Sequence, residues 1–127
     1  MHPHLQAVLL WSNSQARNKR LRKLAKSTDI PKSDVVDATR VIEIRKRLFD
    51  ARNSRTRQDE VLKTLREEFN MSRKRFKELC KLACVCVADG RWYPDLRKRI
   101  KSSKYRIDRQ TLKEYHNLKL CMHTTEH

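Results

Sequence analysis

The sequence predicts an all-α protein, a small helical bundle or helical hairpin with basic N- and C-terminal extensions, and three observations carry that prediction. A single Gly and 3 Pro in 127 residues leave few places for the tight turns of a β fold. Apolar residues recur at intervals of three and four through successive segments, the period of a helix with one buried face. The chain is 38% hydrophobic and 36% charged, which permits only a modest core of the kind amphipathic helices build together. The same proportions disfavour a large buried active-site cavity. The length is that of one domain.

The first helix is expected from about His4 to Lys26, apolar at its start and basic toward its end, an order the helix dipole favours. It stops at Ser27-Thr28-Asp29-Ile30-Pro31. Ser33 is the expected N-cap of a second helix from Asp34 to about Ala51, with Asp34 and Asp37 in its first turn and Val41, Ile44 and Leu48 at helical spacing. Asn53 and Ser54 break the pattern. Thr56, with Asp59 three residues on, resembles a capping box that opens a third helix through Phe69, whose buried stripe is Val61, Leu62, Leu65 and Phe69. Asn70 suits the left-handed conformation that ends a helix, and Ser72 suits the cap of the next. Met71 before that cap and Phe76 four positions into the helix fit a hydrophobic staple. The fourth helix shows Phe76, Leu79, Cys80, Ala83, Cys86 and Val87 on one stripe and stops at Asp89-Gly90. Trp92, Tyr93 and Pro94 form an aromatic corner before a short helix with Leu96 and Ile100. Asp108 is a candidate cap for a last helix holding Leu112, Tyr115 and Leu118. This divides the chain into a basic N-terminal helix or arm (1–30), a helical domain (33–120) with a hairpin at 57–88, and a tail (121–127).

The charge balance narrows the partners. Thirty-one Lys and Arg face 15 Asp and Glu, a net charge of +16 and a pI near 10.3, which implies a polyanionic ligand. Nucleic acid is the first such ligand, and an anionic membrane surface is a second for the N-terminal third alone. No membrane span is expected, since the longest apolar run is Ala7 to Trp11. Residues 1–28 hold no acid at all. They carry Arg17, Lys19, Arg20, Arg22, Lys23 and Lys26 behind the apolar cluster of Leu5, Ala7, Val8, Leu9, Leu10 and Trp11. That composition fits a mitochondrial targeting sequence and equally an arm along RNA phosphates, and a retained segment serves as both. The mitochondrial matrix is the favoured location, with cytoplasm and nucleus left open.

The string Leu65-Arg66-Glu67-Glu68-Phe69-Asn70-Met71-Ser72, with Phe76 and Leu79 after it, resembles a helix-turn-helix motif over residues 61–79. In that family the second helix enters the major groove by its N-terminal end, and here that end carries Arg73, Lys74, Arg75, Lys77 and Lys81. The departure is at Arg66, where the family usually has a small residue. A plain helical hairpin without nucleic-acid contact is the competing account of the same string. Arg73, Lys74 and Arg75 suit phosphates or guanine edges, with no Asn or Gln beside them to read adenine, so sequence specificity is expected to be weak.

A second basic cluster comprises Arg91, Arg97, Lys98, Arg99, Lys101, Lys104, Arg106, Arg109 and Lys113. Trp92, Tyr93 and Tyr105 are interleaved with it and suit stacking on unpaired bases, although the favoured account of Trp92 and Tyr93 is that they anchor the hairpin's end in the core, since an aromatic beside a Gly-stopped helix is usually packed.

Other chemistry has little support. Cys80, Cys84 and Cys86 lie within one helix, where Cys86 points away from Cys84, so zinc shared with His116, Cys121 or His123 is disfavoured against reduced core cysteines. No metal or cofactor is expected. Gly90 alone makes no phosphate loop, and no Ser, His and acid set stands out, so no enzymatic activity is expected. Glu67 and Glu68 are adjacent and project in different directions on a helix, so they are expected to pair with Lys63 or neighbouring cations and not to form an acid/base pair.

Together these features point to a non-enzymatic RNA-binding component of a ribonucleoprotein, contacting RNA phosphates, ribosomal RNA foremost, with neighbouring proteins over its apolar stripe. In composition the chain resembles the small basic mitochondrial ribosomal proteins. The alternatives are a helix-turn-helix DNA-binding protein and a helical assembly factor that binds acidic proteins.

Overall fold

The computed structural model describes residues 1–12, 14–51, 53–85, 109–118 and 120, and every regular element among them is an α-helix. The helices are α1 (Pro3–Trp11), α2 (Ser14–Ala25), α3 (Lys32–Asp50), α4 (Arg55–Phe69), α5 (Arg73–Val85) and α6 (Arg109–Asn117). The all-α class is therefore the observed one. The expected stop at Asp89-Gly90, the aromatic corner at Trp92 to Pro94 and the Asp108 cap lie outside the described residues.

The long first helix expected from His4 to Lys26 is two helices. Ser12 leaves the helical region at φ −82°, ψ 142°, while its N–H still donates to Val8 O at 3.1 Å. Ser12 is buried, and its Oγ accepts from Arg20 Nη1 at 2.8 Å. Ser-Asn-Ser at 12–14 is a poor helix interior, because short polar side chains compete for the backbone. The break has a large effect on packing. It frees α1 to turn its apolar residues inward, and Leu5, Ala7, Val8, Leu9 and Leu10 are all fully buried. Burying each of its larger aliphatic side chains is worth roughly 1.5–3 kcal/mol, so residues 3–11 belong to the core and not to an arm.

α3 is the central helix. It packs against α5 most extensively, and against α1, α4 and α2. Ala38, Val41, Ile44 and Leu48 are buried along it at the expected spacing. Its start differs by two residues from the expected one. Pro31 occupies the cap position and its carbonyl accepts from Asp34 N at 3.1 Å, which leaves Ser33 in the first turn without a capping role. Asp34 instead accepts from His2 N at 2.9 Å and ties the chain start to α3. α4 begins two residues earlier than Thr56 would place it. Ser54, extended at φ −136°, accepts from Arg57 N at 3.3 Å. A cap needs an oxygen and the amide three residues on, and the acid of a full capping box is dispensable.

The α4–α5 turn follows the sequence closely. Asn70 is left-handed at φ 51°, ψ 49°, and the Asn70 and Met71 amides donate back to Glu67 O and Arg66 O in the Schellman pattern. Ser72 Oγ accepts from Arg75 N at 3.3 Å. Met71 packs on the core to which Phe76 belongs. α6 returns to α1, where Trp11 Nε1 donates to Tyr115 O at 3.0 Å and the indole lies 5.4 Å from the His116 ring. No helix among the described residues is long and apolar enough to cross a membrane.

Candidate nucleic-acid interface

The first set of cations lies on α2. Lys19, Arg22 and Lys23 on α2 and Lys26 in the turn just past it are all exposed, and the three on the helix share one face. Arg17 and Arg20 are half-buried. Arg20 spends one guanidinium nitrogen on Ser12 Oγ, so it closes the α1–α2 corner as well as adding charge. Packing of α1 and α3 on the other side of α2 holds this basic face outward.

The second set lies on α5 and divides by role. Arg73, Lys74 and Lys77 are exposed, and Lys81 is half-buried. Arg75 is committed to the fold. Its Nη2 donates to Oδ2 of Asp37, a carboxylate only 6% exposed on α3. Arg40 Nη1 lies 3.5 Å from the other oxygen of Asp37, and the Arg40 guanidinium sits 5.3 Å above the Phe69 ring, which in turn is 6.3 Å from Phe76. Asp37, Arg75, Arg40, Phe69 and Phe76 thus lock α3, α4 and α5 together beside the turn. The hydrogen bond to Asp37, then that carboxylate's charge, raises the Arg75 pKa above its ordinary value, so the guanidinium stays charged in this contact.

Between α4 and α5 the structure holds a groove of about 680 Å³. Lys63 and Arg66 line it from α4, Arg73 and Lys77 from α5, and Leu62 and Phe76 lie beneath, with Asp59 the one acid. Each helix packs on α3 more than on the other, which leaves the space between them open. Arg66, where a helix-turn-helix would have a small residue, is half-exposed and faces this groove. Lys63 makes no ion pair with Glu67 or Glu68 among the described residues, contrary to expectation. Sequence reasoning therefore missed Lys63 and Arg66 as members of a basic site. The available signal was their three-residue spacing on the helix before the turn, a same-face pair like Arg73 and Lys77, four apart, on the helix after it.

Arg91, Trp92, Arg97, Lys98, Arg99, Lys101, Lys104 and Arg106, the rest of the expected interface, lie outside the described residues, as do Cys86, Cys121 and His123. Arg109 and Lys113 are exposed on α6. Cys80 is fully buried, and burial pushes its thiol up to about 12. Among the described residues no group of three His, Cys, Asp or Glu side chains is placed to hold a metal ion. No protein family, curated protein or solved structure matches this chain.

Proposed function

We propose that this protein is a non-enzymatic RNA-binding component of a ribonucleoprotein, which neutralises phosphates where RNA segments crowd together. The observation that carries the reading is the set of exposed cations with no protein partner. Lys19, Arg22, Arg73, Lys74 and Lys77 make no ion pair or side-chain hydrogen bond among the described residues, on a chain of net charge +16. A solvated surface ordinarily interleaves both signs, and sustained excess of one sign stabilises a complex with a polyanion. Ribosomal RNA is the partner best suited to such dispersed contacts, with neighbouring proteins alongside. The acid-free composition of residues 1–28 favours a mitochondrial ribosome as the setting. Burial of α1 then requires that this segment stay on the mature protein, because cleavage behind it would remove part of the core.

Affinity for structured RNA as a function of salt tests the reading. If about five cations meet phosphates, log K against log salt should fall with a slope near −4, and Lys19→Gln with Arg22→Gln should flatten it by about 2. A flat salt dependence, or no binding at low salt, would contradict it.

The helix-turn-helix reading is the second. It is favoured by the Asn70 to Ser72 turn and by exposed Arg73, Lys74 and Lys77 at the start of α5. Its weakness is Arg75, which is drawn to Asp37 and cannot reach a base edge without breaking that contact. Preference for a defined DNA duplex over RNA of equal charge would promote it.

A further inference from the structure

Exposed cations alone suffice for the function proposed above, and the α4–α5 groove has properties beyond that. Lys63 and Arg66 on one wall and Arg73 and Lys77 on the other converge on the same 680 Å³. None of the four makes an ion pair or side-chain hydrogen bond among the described residues. Four like charges around one concavity repel each other, and an anion that enters relieves that repulsion.

The floor decides between kinds of anion. Leu62 and Phe76 are apolar, and a free phosphate has nothing to gain from them. A duplex is convex and presents its phosphates outermost, so it meets helix faces and not the bottom of a groove. An unpaired nucleotide differs, because a flat apolar base is flanked by phosphates on both sides. That shape matches an apolar floor between two basic walls, and the volume falls within the range of small-ligand pockets. Asp59, one turn before Lys63 on the α4 wall, is also without a partner among the described residues. A carboxylate repels phosphate but accepts from base N–H groups, so it fits the base and not the backbone.

We infer that the α4–α5 groove holds an unpaired nucleotide of an RNA strand, its base over Leu62 and Phe76 and its flanking phosphates between Lys63 and Arg66 on one side and Arg73 and Lys77 on the other. This rests on the RNA-binding function proposed above and narrows it from backbone contact to recognition of an unpaired position.

The test compares the full chain on two labelled RNAs of equal phosphate number, a hairpin with an open loop and a fully paired duplex, by fluorescence anisotropy. The groove variant is Lys63→Gln with Arg66→Gln, repeated as Lys63→Ala with Arg66→Ala, each checked for unchanged helicity; the control is Lys19→Gln with Arg22→Gln on α2. The hairpin should bind at least about fivefold tighter than the duplex, and the groove variants should lose about tenfold on the hairpin and under about twofold on the duplex. The α2 variant should weaken both RNAs alike. Groove variants that weaken both RNAs equally, or neither, overturn the inference while the α2 result keeps RNA binding standing. Equal binding of single-stranded DNA through the same residues overturns the RNA assignment. Failure of the unmodified chain to bind either RNA overturns the proposed function together with the groove.

Discussion

Cys80 and Gln58 show what burial does to two different side chains. The Cys80 thiol, desolvated on α5, holds its proton to about 12, against an ordinary value of 9.0. A folded-state value above the unfolded one means that the thiol's contribution is fully present below about pH 9 and is lost as pH rises toward 12. The stability of the native chain relative to Cys80→Ala should therefore be greatest near pH 8 and shrink toward about pH 11, read from urea midpoints. Gln58 on α4 is 2% exposed, and neither of its amide atoms has a hydrogen-bond partner among the described residues. An unsatisfied buried amide costs about 1–3 kcal/mol, so Gln58→Met should raise the urea midpoint; a fall would mean that the amide is satisfied after all. Nothing in the sequence marked this residue, since its neighbours Asp59 and Glu60 are exposed and the apolar stripe begins at Val61. Asn70 is the contrary case. Its left-handed conformation was legible from the order Phe-Asn-Met-Ser, and Asn70→Ala should cost about 1–2 kcal/mol while Asn70→Gly is nearly neutral.

At the scale of elements, what the sequence disclosed depended on whether the signal was local. The α4–α5 turn is made by adjacent residues whose caps hydrogen-bond within a few positions, so it was legible. The α1–α2 break was only half local: Ser-Asn-Ser at 12–14 weakens the helix there, but the corner itself depends on Ser12 meeting Arg20 and on an apolar segment packing on α3. Charge pattern alone made residues 1–30 look like one basic helix. Packing divides them into a core helix and a basic one. Leu9→Ala should accordingly destabilise the fold by about 2–5 kcal/mol, as a core substitution does and an arm substitution does not. Circular dichroism during urea titration checks this, and an unchanged midpoint would return α1 to the surface. The same reasoning explains the groove. Arg73 and Lys77 were visible as a basic stretch, whereas Lys63 and Arg66 joined them only once α4 and α5 had both docked on α3.

On the scale of the whole molecule, the fold leaves one question for its charge to answer. Buried apolar faces of α1, α3, α4 and α5 form most of the core among the described residues, and the Asp37 cluster uses Arg75 and Arg40. Lys19 and Arg22 on α2, Lys74 on α5, and Lys63, Arg66, Arg73 and Lys77 around the groove make no ion pair among the described residues and are left for a partner. Their spread over several elements suits a polyanion that contacts the protein at many points, as folded RNA does within a particle. The most direct test is sedimentation of the tagged native protein in a lysate gradient, with and without RNase and DNase. The account predicts co-migration with a ribosomal subunit, lost when RNase destroys the particle. A slow peak indifferent to RNase would contradict it, and a shift on DNase treatment would transfer the basic surface to DNA.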